Sequence, residues 1–188
     1  MDSLGGSERA GGSRDGWSGA CSSFGELWRG PSFGYDRHVL DITVSEGTSG
    51  SPEQVLAAAT DLSEERVKVW SNSKPRYFQV HAQGAEFAEL TEGFRPPFGR
   101  VWQRSRYEWE PGSIRQTVID SNVLAPGSTW ELKFPPSGGG CTVEMRLRRE
   151  FRRSAKGRIA SAINHLGGRH LWGWYLRKAL AEVENRSS

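Results

Sequence analysis

Between residues 78 and 148 the chain alternates apolar and polar positions with a period of two, and glycine or proline breaks the pattern at short intervals. No other feature constrains the fold as much, because strands joined by a few residues pair antiparallel with their sequence neighbours. Six such segments follow one another. Phe78, Val80 and Ala82 alternate with Gln79, His81 and Gln83 as far as Gly84. A weaker run spans Phe87–Phe94 and stops at Arg95-Pro96-Pro97-Phe98-Gly99. Val101–Glu110 turns at Pro111-Gly112 into Ser113–Ser121. Residues 129–134 place Trp130, Leu132 and Phe134 on one face, opposite Glu131 and Lys133. Beyond the turn Pro135-Pro136-Ser137-Gly138-Gly139-Gly140, Cys141, Val143, Met145 and Leu147 point one way, and Thr142, Glu144, Arg146 and Arg148 the other.

A seventh strand precedes these. His38, Leu40, Ile42 and Val44 alternate with Val39, Asp41 and Thr43, and Glu46-Gly47-Thr48-Ser49-Gly50 ends the run. Ser51 as N-cap, Pro52 in the first helical position and Glu53 in the first turn predict a helix start, with Val55, Leu56 and Ala59 as its apolar face. Ser63-Glu64-Glu65-Arg66 repeats that capping logic and leads into Val67 and Trp70. The spacing predicts two short helices in tandem, ended by Asn72-Ser73-Lys74-Pro75. From about residue 157 to 185 the period becomes helical, and Ile159, Ala162, Leu166, Gly173, Leu176, Leu180 and Val183 fall on one stripe. Gly167-Gly168 is where such a helix would kink.

Residues 1–34 hold 9 of the 23 glycines and 7 serines with no sustained period, which predicts a flexible leader ahead of one domain over residues 35–185. Trp17, Phe24, Leu27 and Trp28 are the leader residues able to dock on the body or on a partner. Only 36% of the chain is hydrophobic, yet 11% is aromatic, so the core must rely on a few very large side chains. No run approaches 18 uncharged apolar residues, which argues against integral membrane association. Cys21 and Cys141 are too few for a disulfide scaffold, and the N-terminus lacks an apolar core like that of a secretory signal. Together these predict a reducing, cytoplasmic setting.

The net charge of +3 permits nucleic-acid binding without arguing for it. Arg146, Arg148, Arg149, Arg152, Arg153, Lys156 and Arg158 form a basic cluster. Its strand arginines lie beside Glu144 and Glu150, so the cluster reads as a solvated sheet face rather than a site for nucleic acid or anionic lipid. The dinucleotide, phosphate-loop, nucleophile-elbow, zincin and paired-cysteine signatures are absent. His165 and His170 stand five apart, about 140° around a helix, and so do not share a face as metal ligands would. Neither a metal nor a cofactor is expected.

Strand, two short helices, six strands and a long closing helix is an order that resembles the helix-grip fold of the START/Bet v 1-like (SRPBCC) superfamily, most of all its bacterial polyketide cyclase/dehydrase and lipid-transport branch. The resemblance covers about residues 35–185. It is carried by the opening strand at 38–44, Ser51-Pro52-Glu53-Gln54-Val55 entering the first short helix, Trp70 ending the second, and the helix end from Leu176 to Val183. It implies an α+β architecture in which a seven-stranded curved antiparallel sheet wraps the C-terminal helix, with a ligand cavity between them. The leader and the segment Trp172-Gly173-Trp174-Tyr175 depart from the family pattern. The superfamily has no universal catalytic motif, so no catalytic residue is carried over.

If the face of Val101–Glu110 lines that cavity, Tyr107 and Trp109 would be apolar wall, and Gln103 and Ser105 would either bind a ligand or be satisfied by neighbours or water. Trp130, Phe134 and Met145 extend the wall from later strands. On the next strand Gln116 and Asp120 alternate with outward residues, Asp120 being equally suited to capping a turn. Arg169 lies near the centre of the helical stripe, where a buried charge needs a partner. It would either hold a ligand oxygen or snorkel outward past the glycine pair. His170 and Trp174 flank it.

The expected function is carriage or sensing of a hydrophobic or aromatic small molecule such as a lipid or polyketide, by a monomer or homodimer. A polyketide cyclase/dehydratase is the enzymatic alternative, and an interaction module with a collapsed cavity is a third.

Overall fold

The computed structural model describes residues 39–63, 65–70 and 73–187. The expected leader, and His38 at the start of the first strand, lie outside the described residues. Strand β1 (Val39–Thr48) continues four residues past Val44. It is followed by α1 (Pro52–Thr60), the single-turn α2 (Arg66–Val69) and a 3-10 turn at Pro75–Tyr77. Then come β2 (Gln79–Gln83), β3 (Phe87–Phe94), β4 (Val101–Glu110), β5 (Ser113–Ser121), β6 (Thr129–Lys133), β7 (Pro136–Ser137) and β8 (Gly140–Glu150). Helix α3 (Ala155–Ser187) closes the chain. The two-residue β7, within the turn expected between the last two strands, raises the seven strands to eight among the described residues.

Side-chain capping starts α1 as the sequence predicts. The Ser51 amide donates to Gln54 Oε1 at 2.8 Å, and Ser51 Oγ accepts from the Gln54 amide at 3.3 Å. The sheet runs β1-β8-β6-β5-β4-β3-β2, with β7 attached to β8, and every pairing is antiparallel. Five hairpin-like steps give the meander. The exception is β1, which crosses over through the short helices and pairs with β8 from Val39↔Glu150 to Thr48↔Cys141. That pairing brings the C-terminal helix over the sheet, since α3 follows β8 directly. The end of α3 is pinned there: Thr48 Oγ1 donates to Glu184 at 2.7 Å and the Ser49 amide at 2.9 Å.

Helix α3 is not continuous. Gly168 has φ 45° and ψ −136°, a conformation closed to most L-residues. The stripe expected along the whole helix therefore holds in only one half. Beyond the break, Trp172, Tyr175, Leu176, Ala179, Leu180 and Val183 are buried. Before it, Ile159 and Ile163 are exposed and Leu166 is 90% exposed, while Gly157 and Ser161 face inward. A break that is not helical resets the phase of the helix, so one 100° count cannot span both halves. Gly157 is required by close approach, because a Cβ there would stand 2.0 Å from the Arg152 carbonyl oxygen.

The apolar interior divides in the same way. The larger cluster joins α1, α2 and the far half of α3 to sheet residues including Ile114, Leu132, Phe134, Val143, Met145 and Leu147. A smaller one gathers Leu40, Val118, Val123, Leu124 and Phe151 near the first half of α3. Among the described residues no helix is long and apolar enough to cross a membrane. Gly168→Ala is expected to lower folding stability by about 1–3 kcal/mol, the cost of forcing an L-residue into that backbone region. Urea denaturation reads the loss, and an unchanged midpoint would show that the break relaxes without cost.

Candidate functional site

A cavity of about 380 Å³ lies over the smaller cluster. Phe94, Pro96 and Phe98 supply one side from the β3–β4 connection, and β4 adds Val101, Trp102 and Gln103. Val123, Leu124 and Phe151 form apolar wall, and Ala160, Ile163, Asn164, Leu171, Trp172, Trp174 and Tyr175 come from both halves of α3. Polar groups are few: Glu92, Gln103, Arg149 and Asn164. An apolar chamber with a few placed polar groups is the usual make-up of a small-molecule site. Asn164 is partly engaged within the protein, since its Oδ1 accepts from Trp172 Nε1 at 3.1 Å across the break in α3.

Deeper in, a niche of about 10 Å³, room for about one water molecule, is lined by Arg66, Trp70, Glu92, Tyr107, Gln116, Trp130, Arg149, Trp172 and Tyr175. Its chemistry centres on Glu92. Arg66 Nε donates to Glu92 Oε1 at 3.1 Å, and the Tyr107 hydroxyl donates to Glu92 Oε2. Arg66 also donates to the Ala59 carbonyl oxygen and stacks 5.0 Å from the centroid of the Tyr107 ring. Burial works against the Arg66 charge, but Glu92 and Tyr107 outweigh it and hold the guanidinium above its ordinary range. Burial, reinforced by the Glu92 carboxylate and opposed by Arg66, raises the Tyr107 phenol well above its usual value, so it stays a donor. Around this polar knot stand edge-on aromatic pairs, Trp70–Trp130 at 5.7 Å and Trp172–Tyr175 at 5.5 Å between centroids.

The residues singled out from sequence divide among four places. Tyr107, Gln116 and Trp130 meet at the niche, while Gln103 and Trp174 line the larger cavity, Trp174 at its exposed edge. Ser105 is satisfied within the protein, because Gln116 Nε2 donates to its hydroxyl at 2.8 Å. Phe134 and Met145 are fully buried in the larger core, away from either space. Trp109 packs partly against that core and donates from Nε1 to the Ala85 carbonyl oxygen at 3.1 Å.

The last three residues lie elsewhere. Asp120 is exposed and pairs with Arg152 at 2.8 Å. The reason is a β-bulge: Arg104 faces Asp120 but Ser105 faces Val118, so Ile119 is extra and the alternation reverses. Ser121 consequently turns inward in place of Asp120. Arg169 and His170, the first residues after the break at Gly168, are exposed and line neither space.

Three charged site residues escaped the sequence reading, and two left a signal. Ala88, Leu90 and Glu92 alternate inward on β3, and the alternation Cys141 to Leu147 on β8, continued by one step, puts Arg149 on the inner face opposite Leu40. Arg149, counted above with the solvated basic face, is thus a cavity residue. Nothing local marks Arg66, whose burial depends on where α2 lands. Glu92→Gln leaves Arg66 buried without its carboxylate and is expected to cost about 3–5 kcal/mol, whereas the double change to Arg66→Met and Glu92→Met recovers most of it. Denaturation midpoints of the three proteins measure this, and a loss under about 1 kcal/mol for Glu92→Gln would contradict a buried pair.

No protein-family model matches the chain, and no curated protein matches it in sequence. Solved structures do match. A Thermus thermophilus protein superposes with a TM-score of 0.65 at 16% identity, over 79% of this chain and all of that one (100%). An aromatase/cyclase from Streptomyces sp. R1128 gives 0.63 at 9% identity, over 80% and 97%. A START superfamily protein from Mycobacterium smegmatis gives 0.57 at 17%, over 79% and 98%. Likeness at these identities is likeness of fold, and together with the wrapped helix and the element order it establishes that the chain has the helix-grip fold of the START/Bet v 1-like proteins.

Proposed function

We propose that the domain at residues 35–185 binds a hydrophobic or aromatic small molecule between the sheet and α3, as a carrier or sensor in the cytosol. The observation that carries this reading is the apolar cavity of about 380 Å³, walled by aromatic rings and roofed by both halves of α3. Its volume lies in the range of known ligand sites. Native mass spectrometry after gentle purification tests the reading. Retention or uptake of lipids, polyketides or aromatic probes is the expected result, and a protein that takes up none of them would refute it. Ala160→Trp fills the chamber from α3. It is expected to weaken probe binding at least about tenfold, or about 1.4 kcal/mol, with the melting temperature little changed. Binding unaffected by this change would place the ligand elsewhere.

A second reading, a polyketide cyclase or dehydratase, draws on a different observation. Glu92 lines both the cavity and the niche, with the Tyr107 hydroxyl and the Arg66 guanidinium fixed on it. A carboxylate so placed is suited to moving a proton on a substrate that reaches it. An aromatase/cyclase is among the proteins that share the fold. Tyr107→Phe keeps the ion pair and removes the hydroxyl. If turnover of a poly-β-ketone mimic exists, it should fall by about 10²–10⁴-fold in this variant. Unchanged turnover would remove the cluster from the chemistry.

A further inference from the structure

Arg149 stands in the cavity wall without an anion to balance it. Among the described residues its guanidinium makes no ion pair and no hydrogen bond. Its contact is with the Trp172 ring, 4.6 Å from the guanidinium carbon to the centroid. A ring face attracts a cation but does not neutralise it. The carboxylate on the same wall, Glu92, has both oxygens engaged, one by Arg66 and the other by Tyr107. Arg66 and Glu92 cancel, so the lining carries one surplus positive charge. Burial brings the Arg149 guanidinium down to about 10, opposed only by the Tyr175 and Tyr107 phenols and by no carboxylate. An uncompensated charge in apolar surroundings opposes folding, and a bound anion would remove that opposition.

We infer that the ligand carries a carboxylate, which Arg149 receives while the apolar body fills the chamber towards Phe98, Val123 and Ile163. This rests on the cavity-binding reading above. A guanidinium fork matches the two oxygens of a carboxylate. One surplus charge matches a monoanion better than a dianionic phosphate. The alternation of β8 is what delivers Arg149 to this place, since Met145, Leu147 and Arg149 share the inner face.

Isothermal titration with two matched pairs of probes tests the inference: dodecanoate against 1-dodecanol, and 2-naphthylacetate against 2-naphthylethanol, at pH 7.5. Each carboxylate is expected to bind at least about tenfold tighter than its alcohol, as for a charge-assisted hydrogen bond in a dry site. Arg149→Met should bring that ratio close to one while leaving the alcohol affinities in place. Arg149→Lys, which keeps the charge but not the fork, should give an intermediate ratio and guards against a folding defect in the methionine variant. Alcohols that bind as well as the acids, or a preference that survives Arg149→Met, would overturn the carboxylate while the cavity reading stands. If no probe of either kind binds, both fall together.

Discussion

The break in α3 at Gly168 is the constraint on which the interior depends. A single helix continuing the phase of its C-terminal half would turn Leu166 and Ala162 towards the sheet. The non-helical residue lets Leu176, Leu180 and Val183 seal the larger core while the first half presents Gly157, Ser161 and Asn164 instead. Small and polar side chains on that half cannot fill the space above Val123, Leu124 and Phe151, and the cavity is what remains. The hydrogen bond from Trp172 to Asn164 spans the break and ties the two halves at the cavity wall.

Charge is distributed inside this fold with a definite asymmetry. The Arg66–Glu92 pair joins α2 to β3 and is completed by the Tyr107 hydroxyl, which satisfies the demands of a buried carboxylate. Arg149 has no such completion among the described residues. A protein evolved only for stability gains little from an unpaired guanidinium beside apolar walls, because hydrophobic residues of similar volume would stabilise it more. The carboxylate site inferred for this wall would trade stability for an electrostatic preference, the usual relation between a site and its scaffold.

Aromatic residues connect these two themes. The sparse but bulky apolar composition resolves into Trp70, Trp130, Tyr107, Trp172 and Tyr175 packed edge to face or tilted around the polar niche. Rings of this size reach across the gap between sheet and helix that shorter side chains would leave open. Their polar atoms find partners, as when Trp70 Nε1 donates to the Ala58 carbonyl oxygen at 3.0 Å. Phe134 and Met145, by contrast, serve as dry core.

Local sequence by itself determined the strands, the capped first helix, the order of elements and the antiparallel meander, because alternation, caps and turn residues act over a few positions. It also marked Tyr107, Gln116 and Trp130 as inward, and the alternation containing Glu92 and Arg149 was present to be followed. Only the tertiary structure decided the rest. The bulge at Ile119, a shift in the pairing of β4 with β5, sent Asp120 outward. The backbone of Gly168 took Leu166 and Ile159 off the inward stripe, and no count along a helix reveals where its phase is reset. The burial of Arg66 depended on α2 landing over β3, a contact between residues 26 apart in the chain. Side-chain direction within a strand is a local property, whereas the partner of a buried charge is settled only when distant segments meet.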